Sequence, residues 1–482
     1  MVARSGRAAA MFCHIGFLYL RWYVWRRVRG RDAAAALLER THQRCAVIAR
    51  EHFIAFEGVY IKVGQVISMM VGFLPDAYLN ELEGLQDSVP AQPFEAIRRR
   101  VETEFGRPIG EAYSEFAREP VASASLGQVH MADLADGTPV AVKVQYPGIE
   151  RIVTTDLFML RVVMHVIGWI VPGFDAERIW HDISETIRME LVYRNEGRNA
   201  ERIAAKFTDN PRVDFPAIIW DHTTDKVLTM QRMSGMKISD VDAITAAGIV
   251  PREVIEILVN AYFKQLLVDG LYHADPHAGN FFVNPVDEDG VVKPRITFLD
   301  FGAVAEFPDE FRQGMKQVVH GYMIQDNSQI IAGMRTMGFE AAGGDERVFE
   351  TAVRYYVDKL LHLNVEDFTQ IDLTEFDLWT NLEDMQLSFR ELARAFEVPR
   401  NWFYVERTLA LLLGLCARLD PSVDAFLYGF PYAAQVVFDA DPKLVSLWSG
   451  FAAPQAKTDP EDVAIDIPAA VADTAAAESE SG

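Results

Sequence analysis

Cysteine is scarce: the 482 residues include only Cys13, Cys45 and Cys416, far apart in the chain. That excludes a disulfide framework and a thiolate metal cage, and it favours a reducing compartment. Positive charge is short as well. Lys and Arg number 46 against 69 Asp and Glu, a net charge of -23, which excludes a general nucleic-acid binder. Unbroken hydrophobic runs of membrane-spanning length are also missing. MFCHIGFLYLRWYVW, 11–25, is interrupted by Arg21. FMLRVVMHVIGWIVPGF, 158–174, contains Arg161 and His165 and nears its end at Pro172. Neither is a comfortable span, and the second reads as a buried helix. Apolar residues as a class are plentiful. Half the chain is hydrophobic, enough to fill the core of two or three domains or of one large bilobed unit.

The shortage of positive charge is local. The first 31 residues hold Arg4, Arg7, Arg21, Arg26, Arg27, Arg29 and Arg31 and no acid. Residues 1–33 therefore read as a basic, aromatic segment. It is an amphipathic helix at a membrane interface, a helix packed on the protein's own surface, or a targeting segment; no clear secretory cleavage site follows it. An evenly spread negative charge would oppose an anionic membrane; this distribution does not. At the other end, 455–482 carries Asp459, Glu461, Asp462, Asp466, Asp473, Glu478 and Glu480 among alanines and reads as a disordered acidic tail.

Between these ends the pattern changes twice. Residues 34–118 read as a helical extension: AAAALLERTHQRCAVIAREHFIAF has no interior Gly or Pro, and 93–105 has Pro93 at its start and Gly106 past its end. Residues 119–233 read as a small β-rich lobe with a helical insertion over roughly 149–207. Two β-like runs there meet at Gly137, and 216–233 reads as two further strands around a polar turn. Residues 234–454 read as a helical lobe, helical up to Gly270, with one hairpin whose turn is Asp287–Gly290.

Two short segments concentrate the chemistry. HADPHAGN, 273–280, and LDFG, 299–302, each adjoin a hydrophobic run. Asp275, then Asn280, then Asp300-Phe301-Gly302 is the order of a protein-kinase-like phosphoryl-transfer site. Asn280 and Asp300 are candidate metal ligands, hard oxygen donors suited to Mg²⁺ or Mn²⁺. Asp275 is the candidate catalytic carboxylate. His273 and His277 flank it without a recognised zinc spacing, and His273 reads as a loop-ordering residue. Lys143, in VAVKV, lies on the strand face opposite Val140, Val142 and Val144. Its ammonium can pair with the inner phosphates of a nucleotide; an ordinary surface lysine is the alternative. Of two candidate partners, Glu190 and Glu196, Glu196 is the choice. The loop before this strand lacks the glycines that cover phosphates. Ala122, Ser123, Ala124 and Ser125 stand there and only Gly127 remains, which narrows backbone freedom. Those four, with Lys143, Met230 and Met233, are the candidate nucleotide-binding residues. Lys62 and Gln65 of KVGQ share a helix face and by themselves read as a surface patch.

Together these segments resemble the UbiB/AarF-type atypical kinases, also called the aarF-domain-containing or coenzyme Q8 family. KVGQ at 62–65, ASASLGQVH at 122–130, VAVKVQYPG at 140–148, ELVYRNEGRN at 190–199, HADPHAGN at 273–280 and LDFGAV at 299–304 follow the family's order. The resemblance implies an α+β, bilobed protein-kinase-like fold with a β-rich N-lobe, a helical C-lobe and a helical extension over the site. It implies ATP or ADP with a divalent metal, and an ATPase or a small-molecule or lipid phosphotransferase that supports ubiquinone or other isoprenoid-lipid metabolism. By the same resemblance Lys143 is the N-lobe lysine, Glu196 its helix partner, Asp275 the catalytic-loop acid, and Asn280 and Asp300 the metal ligands. Lys62, Gln65 and Glu190 form a gate, and the Ala/Ser loop alters nucleotide preference. The expected partners are a nucleotide, an isoprenoid lipid or membrane surface, and lipid-biosynthesis proteins, but no nucleic acid. The expected location is cytoplasmic, peripheral at the inner face of the membrane. Three departures stand out: Val192 replaces the second acid of the family's Glu-x-Asp, Ala278 replaces a proline, and FLYGFPYAAQVVF, 426–438, is short where the resemblance implies membrane-spanning helices. A nucleotide-sensing scaffold is the alternative function, and a conventional Ser/Thr kinase is a weaker one.

Overall fold

The computed structural model describes residues 2–56, 77, 78, 81, 91–123, 125–170, 176–341, 343–361, 395–397 and 399–440. Helices α1, Val2–Arg29, and α2, Arg31–Phe56, pack on each other about Gly30, whose φ is +88°. Helix α3, Phe94–Phe105, starts after Pro93 and ends at a left-handed Gly106, as its sequence predicts. Helix α4, Ile109–Ala112, leads into the first sheet. That sheet holds β1 (Glu115–Phe116), β2 (Ala122–Ser123), β3 (Gly127–Asp133) and β4 (Pro139–Gln145). Three helices follow: α5, Ile149–Ile170; α6, Ala176–Glu190; and α7, Tyr193–Ala204. After β5, Val213–Asp214, strand β6, Val227–Gln231, completes the sheet in the antiparallel order β1-β3-β4-β6, with β2 also on β3.

The second lobe begins with β7 (Met236–Lys237), α8 (Val241–Ala246) and α9 (Pro251–Phe263), which runs into a π-helical turn, Lys264–Asp269. Strands β8 (Leu271–His273), β9 (Phe281–Glu288), β10 (Val291–Phe298) and β11 (Val304–Glu306) follow, then α10 (Asp309–Met323), α11 (Asn327–Met337), α12 (Glu346–Leu361), α13 (Arg400–Leu419) and α14 (Ala425–Ala440). This lobe is less purely helical than its sequence predicts. It contains a four-stranded sheet, β5-β10-β9-β7, and the pair β11-β8, whereas the sequence signals only the β9–β10 hairpin. The flanking strands are two or three residues long, too short for a periodic signal.

Three further expectations are corrected. The first half of 216–233 is not a strand: Trp220–His222 forms a 3-10 turn, and only Ile218 bridges to Met230. The helix expected up to Gly270 breaks between α8 and α9, with Gly248 at φ +81°. Helix α5 is not wholly buried, because Phe158 and Val162 are 64% and 46% exposed. Lys62, Gln65, Ala124 and residues 441–482 lie outside the described residues.

One hydrophobic core joins the extension to the first lobe. Met11 of α1, Phe53 of α2 and Val101 of α3 share it with Val140, Val142 and Val144 of β4 and with Leu157 of α5. A second core lies between α9, the four-stranded sheet and α13. At its centre Tyr262, Phe281, Phe298 and Phe301 surround His273, with ring centroids from 4.9 to 6.4 Å apart. Each fully buried Phe contributes about 1.5–3 kcal/mol, so the loops beside the ring nest are anchored by its stability.

Candidate functional site

Lys143 is the hinge of the site. Strand alternation turns Val140, Val142 and Val144 into the core and leaves Lys143 facing the second lobe. Its Nζ donates to Glu196 Oε1 at 2.7 Å and to Asp300 Oδ2 at 2.9 Å. Glu196 sits in the first turn of α7, where an acid suits the helix dipole. Glu190, at the end of α6, is not the residue bonded to Lys143, though its charge acts on Glu196. The three charges differ in access: Glu196 is 5% exposed, Lys143 13% and Asp300 44%. Asp300 is therefore the partner an incoming cation can reach.

Electrostatics separate the two carboxyls. Burial raises Glu196 from 4.5 to about 7, against the pull of Lys143. Burial would also raise Asp300, but the Lys143 ammonium and the Gly302 N–H outweigh it and hold that carboxyl well below its usual range. Burial opposes the Lys143 charge, and Asp300 and Glu196 together keep it well above its ordinary value. A carboxyl raised on folding stabilises the protein while protonated. The contribution is full below about 4.5 and is lost as pH rises through about 7. In thermal melts across that window, nucleotide-free Glu196→Gln should lack this part of the wild-type slope; an unchanged slope contradicts the assignment.

The segments around Asp275 and Asp300 are zipped together by backbone. Ala274 N donates to Ala303 O at 2.8 Å, Leu299 N to Asn280 O at 3.0 Å, and Val304 pairs with His273. His273 orders both. Its Nε2 bonds the Asp300 carbonyl, and its Nδ1 receives the Tyr262 hydroxyl at 3.0 Å and the Asp275 N–H at 3.3 Å. A carbonyl only accepts, so the proton is on Nε2, and burial keeps the ring neutral by lowering its pKa. The π turn lets Gln265 reach back, its Oε1 accepting from His273 N at 2.9 Å. Asn280 donates its Nδ2 to Asp275 O at 2.9 Å, which leaves Oδ1 as its acceptor atom.

Sequence reasoning missed Arg407, on α13. Its Nη2 meets Asp275 Oδ1 at 2.7 Å and its Nη1 meets Ala274 O at 3.2 Å. No local pattern marks it, because its partner lies 132 residues away. Tyr193 was missed as well. Its ring lies 5.4 Å from Lys143 Nζ, and its buried hydroxyl has no hydrogen-bond partner among the described residues.

Strands β2 and β3 pair as a hairpin, with Ala122 opposite Val129 and Ser123 opposite Gln128. Ala122 is exposed, Ser123 and Ser125 are half-buried, Met230 is buried beside Tyr193 and Leu228, and Met233 is half-buried. Gly127 is required by close approach. A Cβ there would lie 2.4 Å from the Tyr193 hydroxyl and 2.5 Å from the Val144 carbonyl. Gly127→Ala should cost about 1–3 kcal/mol, read as a lower melting temperature; an unchanged melt contradicts the packing. Gln128 bolts this hairpin to the extension, accepting from Gln92 N at 2.7 Å.

Comparison with known proteins agrees with this arrangement. The model of the ABC1 atypical kinase-like domain matches residues 84–334. The chain belongs to this family. An uncharacterized protein of Synechocystis sp. is 30% identical over 91% of this chain and 75% of its own length. Activity of bc1 complex kinase 8 of Arabidopsis thaliana chloroplasts is 29% identical over 80% and 53%. A Marinobacter nauticus protein described as a probable protein kinase UbiB is 30% identical over 78% and 66%. The chain thus spans between about half and three quarters of the length of these relatives. The solved complex of Rv3197 with erythromycin, from Mycobacterium tuberculosis, superposes with a TM-score of 0.51 at 26% identity, over 81% of this chain and 94% of that one. The fold is the bilobed α+β kinase-like fold, and the chain is an ABC1-type atypical-kinase-like protein.

Proposed function

We propose that this ABC1-type protein is a metal-dependent ATPase or small-molecule or lipid phosphotransferase acting in isoprenoid-lipid metabolism, ubiquinone synthesis included. The observation that carries the nucleotide reading is Lys143, gripped by Glu196 in its own lobe and by Asp300 across the cleft. The family relationship supports ATP as the nucleotide; the lipid context rests on the sequence resemblance.

The donors fit Mg²⁺. Asp300 is partly open and already holds a cation, the Lys143 ammonium, and Asn280 presents an amide oxygen. Among the described residues no three His, Cys, Asp or Glu side chains form a cage. Mg²⁺, which keeps water and phosphate oxygens as ligands, needs none. Asp300 and Asn280 would hold the ion, which when bound offsets charge on the outer phosphates. Lys143 donates to the inner phosphates, with Glu196 fixing its direction. Asp275, oriented by Arg407, accepts the proton of the attacking hydroxyl or water. Lys62, Gln65 and Glu190 keep their gating role in this proposal.

The test is phosphate release and label transfer from ATP with Mg²⁺, with and without lipid vesicles. Metal-dependent turnover is expected; none in any condition overturns the enzyme reading. A scaffold that senses nucleotide is the second reading. Val192, which takes the place of the family's second acid, and the glycine-poor loop at 122–125 favour it. Nucleotide-dependent capture of lipid-biosynthesis proteins that survives Asp275→Asn would support it.

A further inference from the structure

We propose that the outward face of α1 docks this protein on an anionic lipid bilayer. The proposal deepens the lipid-directed reading but rests on separate observations. Helix α1 has two apolar faces. Ala8, Met11 and Leu18 are buried, and the same side is pinned by the Tyr19 hydroxyl to His42 Nδ1 at 2.7 Å and by Trp22 Nε1 to the Ala34 carbonyl at 3.1 Å. The opposite face is open. Phe17, Leu20, Val24 and Val28 follow each other at three- and four-residue spacing and are 62%, 58%, 53% and 72% exposed. Arg21 and Trp25 line the same surface. The helix cannot roll to hide this stripe without breaking the pinned side. A continuous exposed apolar stripe of this kind marks an interaction surface.

Charge selects the occupant. The first 31 residues hold seven of the 46 Lys and Arg and none of the 69 acids. Three guanidiniums lie over α1's own aromatic rings: Arg26 over Trp22, Arg27 over Tyr23 and Arg29 over Trp25, at 5.1–5.5 Å. Apolar side chains for the acyl boundary, the exposed rings of Tyr23 and Trp25 for the headgroup level and the exposed Arg21, Arg27 and Arg29 for lipid phosphates match a helix lying in the interface plane. A second copy would set arginine against arginine. Among the described residues no helix is long and apolar enough to cross a membrane, so the contact is along the surface.

The experiment is flotation of the full chain, without nucleotide, with vesicles of phosphatidylcholine alone and with added phosphatidylglycerol. Strong binding is expected only with the anionic lipid and should weaken with salt. Leu20→Glu with Val24→Glu should cut the bound fraction by about tenfold or more with an unchanged melt, since both positions are exposed. Arg26→Gln with Arg27→Gln and Arg29→Gln should remove the preference for anionic lipid. Wild type that does not float, or variants that float equally well, overturn the proposal. So does a lipid-free dimer that Leu20→Glu with Val24→Glu dissociates, which would assign the face to a second copy. The readout contains no nucleotide, so its failure is distinct from failure of the ATP reading.

Discussion

Asp300→Asn should lower metal-dependent turnover by on the order of 10²–10³-fold and remove the Mg²⁺ dependence of nucleotide binding. The carboxylate has one task that an amide cannot take over, the negative charge at Oδ2, and one that it can, accepting a hydrogen bond at Oδ1. Its Oδ2 neutralises Lys143 at 2.9 Å, and its Oδ1 is oriented by the Gly302 N–H at 2.9 Å. The variant keeps the shape and the turn but presents no negative charge to a hard cation. A second readout separates this from simple damage. The Asp300 charge raises the Glu196 carboxyl, so the variant should titrate Glu196 at lower pH than wild type. Turnover equal to wild type would show that the ion is held elsewhere.

Arg407→Ala should reduce turnover by about 10²-fold while leaving nucleotide affinity nearly unchanged. Arg407 touches the Asp275 carboxylate and the Ala274 carbonyl and neither Lys143 nor Asp300. Removing it frees the Asp275 carboxylate to leave its position and takes no contact from Lys143 or Asp300. Lys at this position keeps the charge and loses the two-point grip, so Arg407→Lys should recover only part of the rate. A parallel fall in affinity and rate would mean that α13 merely props up the fold. The comparison is single-turnover rate against equilibrium nucleotide binding, on variants whose melts match.

Local periodicity carried much of the architecture. Three valines alternating around Lys143 placed its strand, Pro93 and Gly106 bounded α3, and a polar turn ending in Gly290 joined β9 to β10. Those signals are written within a dozen residues, and the fold obeys them. What the sequence hid depends on partners far along the chain. Arg407 looks like the polar start of an apolar helix until the fold sets it on Asp275. Phe158 and Val162 read as core because periodicity cannot say whether a hydrophobic helix has one covered face or two. Strands β5 and β7 exist because β10 and β9 offer them edges. The 3-10 turn at Trp220–His222 displaced a plausible strand, since Thr223, which follows it, bonds the Ile219 carbonyl at 2.9 Å and fixes a bend there. In the site, the order of the motifs was readable, and so was the choice of Glu196 over Glu190 as the one to test. The role of the π turn in bringing Gln265 to His273 was not.

Calorimetric titration of ATP into the full chain, with Mg²⁺ and with chelator, beside Lys143→Ala is the decisive measurement. If Lys143, Glu196, Asp300 and Asn280 form a nucleotide and metal site, ATP binds with Mg²⁺, binds far more weakly with chelator, and binds poorly to the variant. Absence of binding, or equal affinity in all three titrations, would contradict it.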